Sequence, residues 1–137
     1  MKRQVSVMTN RNQGFTISHN PMNNLCLVRV WGRWEIEVGT QFERAFRTKI
    51  QQEVGLNGTG WRLLLDFTHC PPQSQDIQNL FNTLLVFAKQ QGMKKKAILA
   101  NGAGIPLQTD QLSQDPELKI HFYFQSEADA VRWLLNG

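Results

Sequence analysis

Asp66, His69 and Cys70 place a carboxylate, an imidazole and a thiol on one short stretch of chain. Such a trio suggests nucleophilic catalysis, in which a base takes the thiol proton and a third group orients the base. The spacing argues against it. Neighbours on an extended segment point to opposite sides, so His69 is badly placed to serve Cys70. The other histidines, His19 and His121, have no reason to lie nearby and lack metal-ligand spacing. Cys70 therefore reads as a structural thiol ahead of the Pro71-Pro72 turn, and no enzymatic activity is expected. Cys26 and Cys70 form no CxxC pair and fit reduced, isolated thiols. Asn101-Gly102-Ala103-Gly104 has the glycines of a phosphate cradle but neither GxGxxG nor P-loop spacing, so it reads as a flexible turn and no cofactor is expected.

Binding chemistry remains. Asp66 ends a strong apolar run, either satisfied by backbone donors of the next loop or facing a ligand beyond the carboxyl edge of a sheet. Ser74 is a good helix N-cap, and Asp76 falls in the first turn against the positive end of the helix dipole. Trp31 and Trp34 flank Gly32; an exposed Trp beside Arg33 would suit a partner, although core packing is the stronger reading. The net charge is +4, and the one basic run is Lys94-Lys95-Lys96. Its expected place between a helix end and a strand is where cations are favoured, so no nucleic-acid or lipid-headgroup binding is expected.

The elements that position these residues are legible from periodicity. Trp61 to Phe67 is nearly continuous apolar chain, as in a parallel strand buried on both faces. Before it, Phe15-Thr16-Ile17-Ser18 and Leu25 to Trp31 flank the turn cluster Asn20 to Asn24 and read as an antiparallel hairpin. Phe42, Ala45, Phe46, Ile50 and Val54 make one helical stripe, with the helix starting at Val38 or Thr40. Ile77, Leu80, Phe81, Leu84, Leu85 and Ala88 make a second after the Ser74 cap, and Gly92 is a left-handed C′ residue. Val86 and Phe87 lie off that stripe, a surplus that allows a homodimer face or an apolar pocket. Lys96 to Ala100 is a short strand, residues 107–114 a weak helix, and Ile120 to Phe124 the last strand. Ser126 and Asp129 then open a terminal helix with capping-box-like spacing. The order β-β-α-β-α-β-α-β-α predicts a single α/β domain over 14–137, with a mixed, mostly parallel sheet of about five strands and helices mainly on one face. Residues 1–13 read as a polar, flexible N-terminal arm. No segment suits a signal peptide or stable membrane insertion, and a cytoplasmic protein is expected.

Val30-Trp31-Gly32-Arg33-Trp34, Leu63-Leu64-Leu65-Asp66, Gly92-Met93-Lys94 and Phe124-Gln125-Ser126-Glu127-Ala128-Asp129-Ala130 occur in an order and spacing that resemble STAS domains. The resemblance is to the SpoIIAA-like (STAS/SEC14-like) branch and covers about residues 14–137. It implies the module of anti-sigma factor antagonists, in which a kinase phosphorylates a serine in an Asp-Ser-Ser-Gly-like motif at the start of the second helix. Counted from Asp66, that motif falls at Ser74-Gln75-Asp76-Ile77, where the serine-glycine core is absent and Gln75 stands in place of the phosphorylated serine. The expectation is a non-catalytic bacterial interaction module acting through loops 32–39, 67–76 and 101–106. Trp34, Asp66, His69, Ser74, Asp76 and Asn101 are its candidate contacts. The alternative is a small apolar-ligand or lipid carrier, which requires a continuous apolar cavity.

Overall fold

The computed structural model describes residues 11–57, 60–100, 119–124 and 126–136, with only the backbone for 56, 57 and 119–124. Asn101 with its loop, the helix expected over 107–114 and residues 1–10 of the arm lie outside the described residues. β1 (Gly14–Asn20) and β2 (Leu25–Trp31) form the antiparallel hairpin. Then follow α1 (Ile36–Gln52), a 3-10 turn (Val54–Asn57), β3 (Trp61–His69), α2 (Gln75–Gln90), β4 (Met93–Leu99), β5 (Lys119–Phe124) and α3 (Glu127–Leu135). The five strands lie side by side in chain order, and β2 to β5 run parallel. This is the mixed, mostly parallel α/β sheet expected.

Each parallel step moves the same way across the sheet, so right-handed crossovers put α1 and α2 on one face. There Phe42, Phe46 and Ile50 of α1 and Ile77, Phe81 and Leu84 of α2 pack on Val28, Val30, Leu63, Leu65 and Phe67. α3 covers the opposite face, where Ala130 and Leu134 meet Leu64, Ala97 and Leu99. β3 is thus sandwiched between two apolar layers, which is why its sequence is apolar without alternation. Gly39 lets the two helices on the first face approach: a Cβ there would lie 2.7 Å from Ile77 Cδ1 and 3.1 Å from Leu80 Cδ2. Phe87 is covered by the Arg47 guanidinium, 4.7 Å above its ring, which leaves Val86 as the exposed part of the apolar surplus on α2.

Two boundaries differ from the sequence reading. α1 starts at Ile36 because a distant residue closes its first turn: Gln13 Oε1 accepts from Glu35 N (2.8 Å), while Glu35 O accepts from Val38 N and Gly39 N. Glu35 itself makes no side-chain cap. β4 starts at Met93, so the lysine run lies within the strand. Lys95 Nζ donates to Trp133 O (2.8 Å) and Asn136 O (2.7 Å) and sits 4.5 Å over the Trp133 ring. A helix end does attract this cation, but it is the end of α3 packed across the sheet, not that of the preceding helix. Lys96 is 1% exposed.

Candidate functional site

The β2–α1 and β3–α2 connections meet at the carboxyl edge of the parallel strands. With α1 starting at Ile36 and β3 reaching His69, they shrink to residues 32–35 and 70–74. Two side chains join them: Arg33 Nη1 donates to Pro72 O (3.4 Å) at the surface, and Gln73 makes the buried link. Gln73, 4% exposed, accepts from Trp34 N through Oε1 (2.8 Å). Its Nε2 donates to Gly32 O (2.8 Å), Pro71 O (3.0 Å) and Cys70 Sγ (3.2 Å). Every polar atom of this amide is used, and each bond ties one loop to the other or to itself. The next residue, Ser74, accepts from Ile77 N (3.4 Å) as the N-cap of α2, as its position predicts. Gln75, Asp76, Pro71, Pro72 and Arg33 stand exposed around this joint, and Ile36 is 55% exposed at the start of α1.

Trp34 belongs beneath that surface, which corrects its place among the expected contacts. It is 4% exposed and packs against Phe15, Phe42 and Phe81 at centroid distances of 5.8, 5.2 and 5.2 Å. Its Nε1 donates to Gly14 O and Trp31 O, so the indole is anchored at both its apolar and polar parts. Cys70 is buried too. Its sulfur accepts from the Gln73 amide (3.2 Å), not from an imidazole, and burial pushes the thiol up to about 11, opposite to the activation of a nucleophile.

Asp66 lies on the opposite face of the sheet, in register with Arg29. Its Oδ1 accepts from Thr68 N (2.9 Å), and its Oδ2 pairs with Arg29 Nη1. Arg29 Nη2 reaches Glu127 Oε1 (2.8 Å) in the first turn of α3. Partial burial works against the Arg29 charge, but the hydrogen bonds and charges of Glu127 and Asp66 outweigh it and raise its pKa. Between the pairs Arg29–Asp66 and Trp31–His69, β3 uses one residue more than β2. This bulge turns His69 to the Asp66 side, where strict alternation would have sent it to the other. The carboxyl edge therefore carries two distinct surfaces: Ser74 and Asp76 on the helix-covered side, Asp66 and His69 on the α3 side.

The interior between α1, α2 and the sheet is nearly full. Among the described residues, a void of about 20 Å³ remains between Val28, Phe42, Phe46, Phe67, Phe81 and Leu85. It has room for about one water and an apolar lining that keeps it dry. Among those residues there is also no group of three or more His, Cys, Asp or Glu able to hold a metal ion, and no helix long and apolar enough to cross a membrane.

A hairpin followed by βα units in sequential strand order, with a last helix crossing the back of the sheet, is a SpoIIAA-like fold. The chain is similar to an uncharacterised DUF3478-family protein with a SpoIIAA-like fold from Shewanella loihica, with a TM-score of 0.60, 18% identity, and coverage of 93% of this chain and 99% of that one. It is also similar to an anti-sigma factor antagonist from Mycobacterium paratuberculosis, with a TM-score of 0.57, 11% identity, and coverage of 90% and 96%. No family model and no curated protein matches the sequence. At these identities the likeness establishes the fold, and that fold agrees with the resemblance read from the sequence.

Proposed function

We propose that this chain is a non-catalytic protein-interaction module of the anti-sigma-antagonist type that works without a phosphoserine switch. Its contact surface is the helix-covered side of the carboxyl edge: Arg33 and Ile36 from the first connection, Pro71, Pro72, Gln75 and Asp76 from the second. The observation that carries this reading is the Gln73 clasp. It fixes two surface loops into one rigid patch, which lowers the ordering entropy a partner would otherwise have to offset. One structural neighbour, by its description, acts against a protein, the anti-sigma factor. Gln75 is exposed at the position where the resemblance puts the regulatory serine, and it offers no hydroxyl. The carrier alternative needs a cavity for an acyl chain, and among the described residues the void of about 20 Å³ between α1, α2 and the sheet does not provide one.

The test is affinity enrichment from the native host with the wild-type chain and a Gln75→Arg/Asp76→Lys double variant. Both positions are exposed, so the variant should keep the wild-type circular dichroism, with a melting temperature lowered by a few degrees through the loss of Asp76 from the positive end of the α2 dipole. A protein retained by the wild type and lost by the folded variant supports the reading. Equal retention by both refutes the assignment of the surface.

A further inference from the structure

The other side of the carboxyl edge holds a groove of about 540 Å³, within the usual range for small-molecule sites of about 300–1,000 Å³. Its floor is the Arg29–Asp66 pair, and its walls include Trp31, His69, Arg11 and the backbone at Gly32. Gly32 makes this geometry attainable. It has φ +77°, and a Cβ there would fall 1.8 Å from Asn12 O, so the chain carrying Arg11 can lie against the end of β2 only over a glycine.

The groups in the groove divide into committed and uncommitted ones. Each oxygen of Asp66 has a partner, Thr68 N on Oδ1 and Arg29 on Oδ2, and Arg29 is shared between Asp66 and Glu127. Arg11 and His69 are exposed, and among the described residues neither side chain has a hydrogen-bond or ion-pair partner. Both are donors, and one carries a permanent charge. The β3 bulge brings His69 to this side without any need in the core, since Phe67 has already filled the apolar face. Bulges that re-aim a side chain concentrate near binding sites. Trp31 adds an aromatic wall beside these donors.

We propose that this groove binds a small organic anion, a carboxylate or phosphate attached to a planar or apolar body. Arg11 and His69 hold the anionic group, Asp66 acts as a positioning residue that fixes Arg29 at the floor, and Trp31 carries the body of the ligand. The site stands apart from the partner surface and does not depend on it.

The experiment is an NMR titration of the full chain with phenyl phosphate, benzoate and, as the neutral counterpart, benzyl alcohol. The Trp31 indole and His69 ring signals should shift saturably with phenyl phosphate or benzoate, with affinity at least tenfold above that for benzyl alcohol. The tighter anion identifies the group the site prefers. An Arg11→Gln/His69→Gln variant, altered only at exposed positions, should lose at least tenfold in that affinity with an otherwise unchanged spectrum. Lack of saturation with both anions, equal binding of benzyl alcohol, or undiminished binding by the folded variant would each overturn the proposal.

Discussion

Removing the Gln73 amide tests the structural basis of the partner surface. Gln73→Ala deletes three N–H···O bonds and one contact to sulfur. It leaves the buried Trp34 N–H without its acceptor. Each hydrogen bond contributes about 1 kcal/mol net, and an orphaned buried donor costs about 1–3 kcal/mol. Water can reach the Pro71 carbonyl because that residue is exposed, which softens the loss. The expected destabilisation is about 3 kcal/mol, a large part of the ~5–15 kcal/mol that holds a domain folded. In urea denaturation followed by tryptophan fluorescence, this lowers the midpoint by about 1.5 M for a slope near 2 kcal/mol per molar. Gln73→Glu sharpens the test. It keeps the acceptor for Trp34 N but points a carboxylate oxygen at Gly32 O and Pro71 O, where the amide had donated. Burial and these carbonyls raise the new carboxyl's folded pKa above its unfolded value near 4.3. The variant's deficit should therefore be greatest at pH 7 and shrink as the pH falls toward 4, where protonation restores a donor. A midpoint shift below about 0.25 M for Gln73→Ala, or a pH-independent deficit for Gln73→Glu, would refute the clasp.

Three further outcomes follow from buried groups. Trp34→Ala should destabilise by about 3–5 kcal/mol, as expected for a core aromatic, and should act on partner binding only through folding; a variant within 1 kcal/mol of wild type in the same urea assay would contradict the packing. Lys96 is held down to about 8 by burial, so between pH 8 and its unfolded value near 10.4 the folded state binds fewer protons and wild-type stability rises with pH. Lys96→Met should accordingly be more stable by roughly 1–3 kcal/mol at pH 7, with the gain fading toward pH 10; a loss at pH 7 would contradict this. Burial pushes Cys26 up to about 12 and Cys70 up to about 11, so both thiols should react with Ellman's reagent at pH 8 only as fast as the chain opens. The same shifts mean that stability is fully present below the unfolded thiol pKa near 9 and is lost as the pH rises toward 11–12; rapid labelling of the native protein would disprove the burial.

The fold was legible where local chemistry and tertiary burial agree. The unbroken apolar run of β3 requires two covered faces, and α1 with α2 on one side and α3 on the other supply them. The Ser74 and Ser126 caps and the left-handed Gly92 are local devices, and all three occur where their residue types imply. The site was less legible because its determinants are long-range. Nothing near Gln73 in the sequence marks it as the hub of two loops, since its partners are set by how β2 and β3 lie in register. The same registration, with its bulge, decides where His69 points. Arg29 and Glu127 gave no signal because their pairing needs α3 to cross the back of the sheet. The lysine run misled for a related reason. A sequence shows three cations, while the structure spends Lys95 on the end of α3, buries Lys96 and leaves only Lys94 exposed.

The most direct measurement of the interaction claim is site-specific photo-crosslinking in the native host. A benzophenone amino acid is placed at exposed Gln75, at the start of α2, and in a separate chain at exposed Gln51, near the end of α1. A discrete protein adduct from position 75 that is absent from position 51 is the predicted result. No adduct at 75, or the same adducts from both positions, would contradict a partner surface at the carboxyl edge.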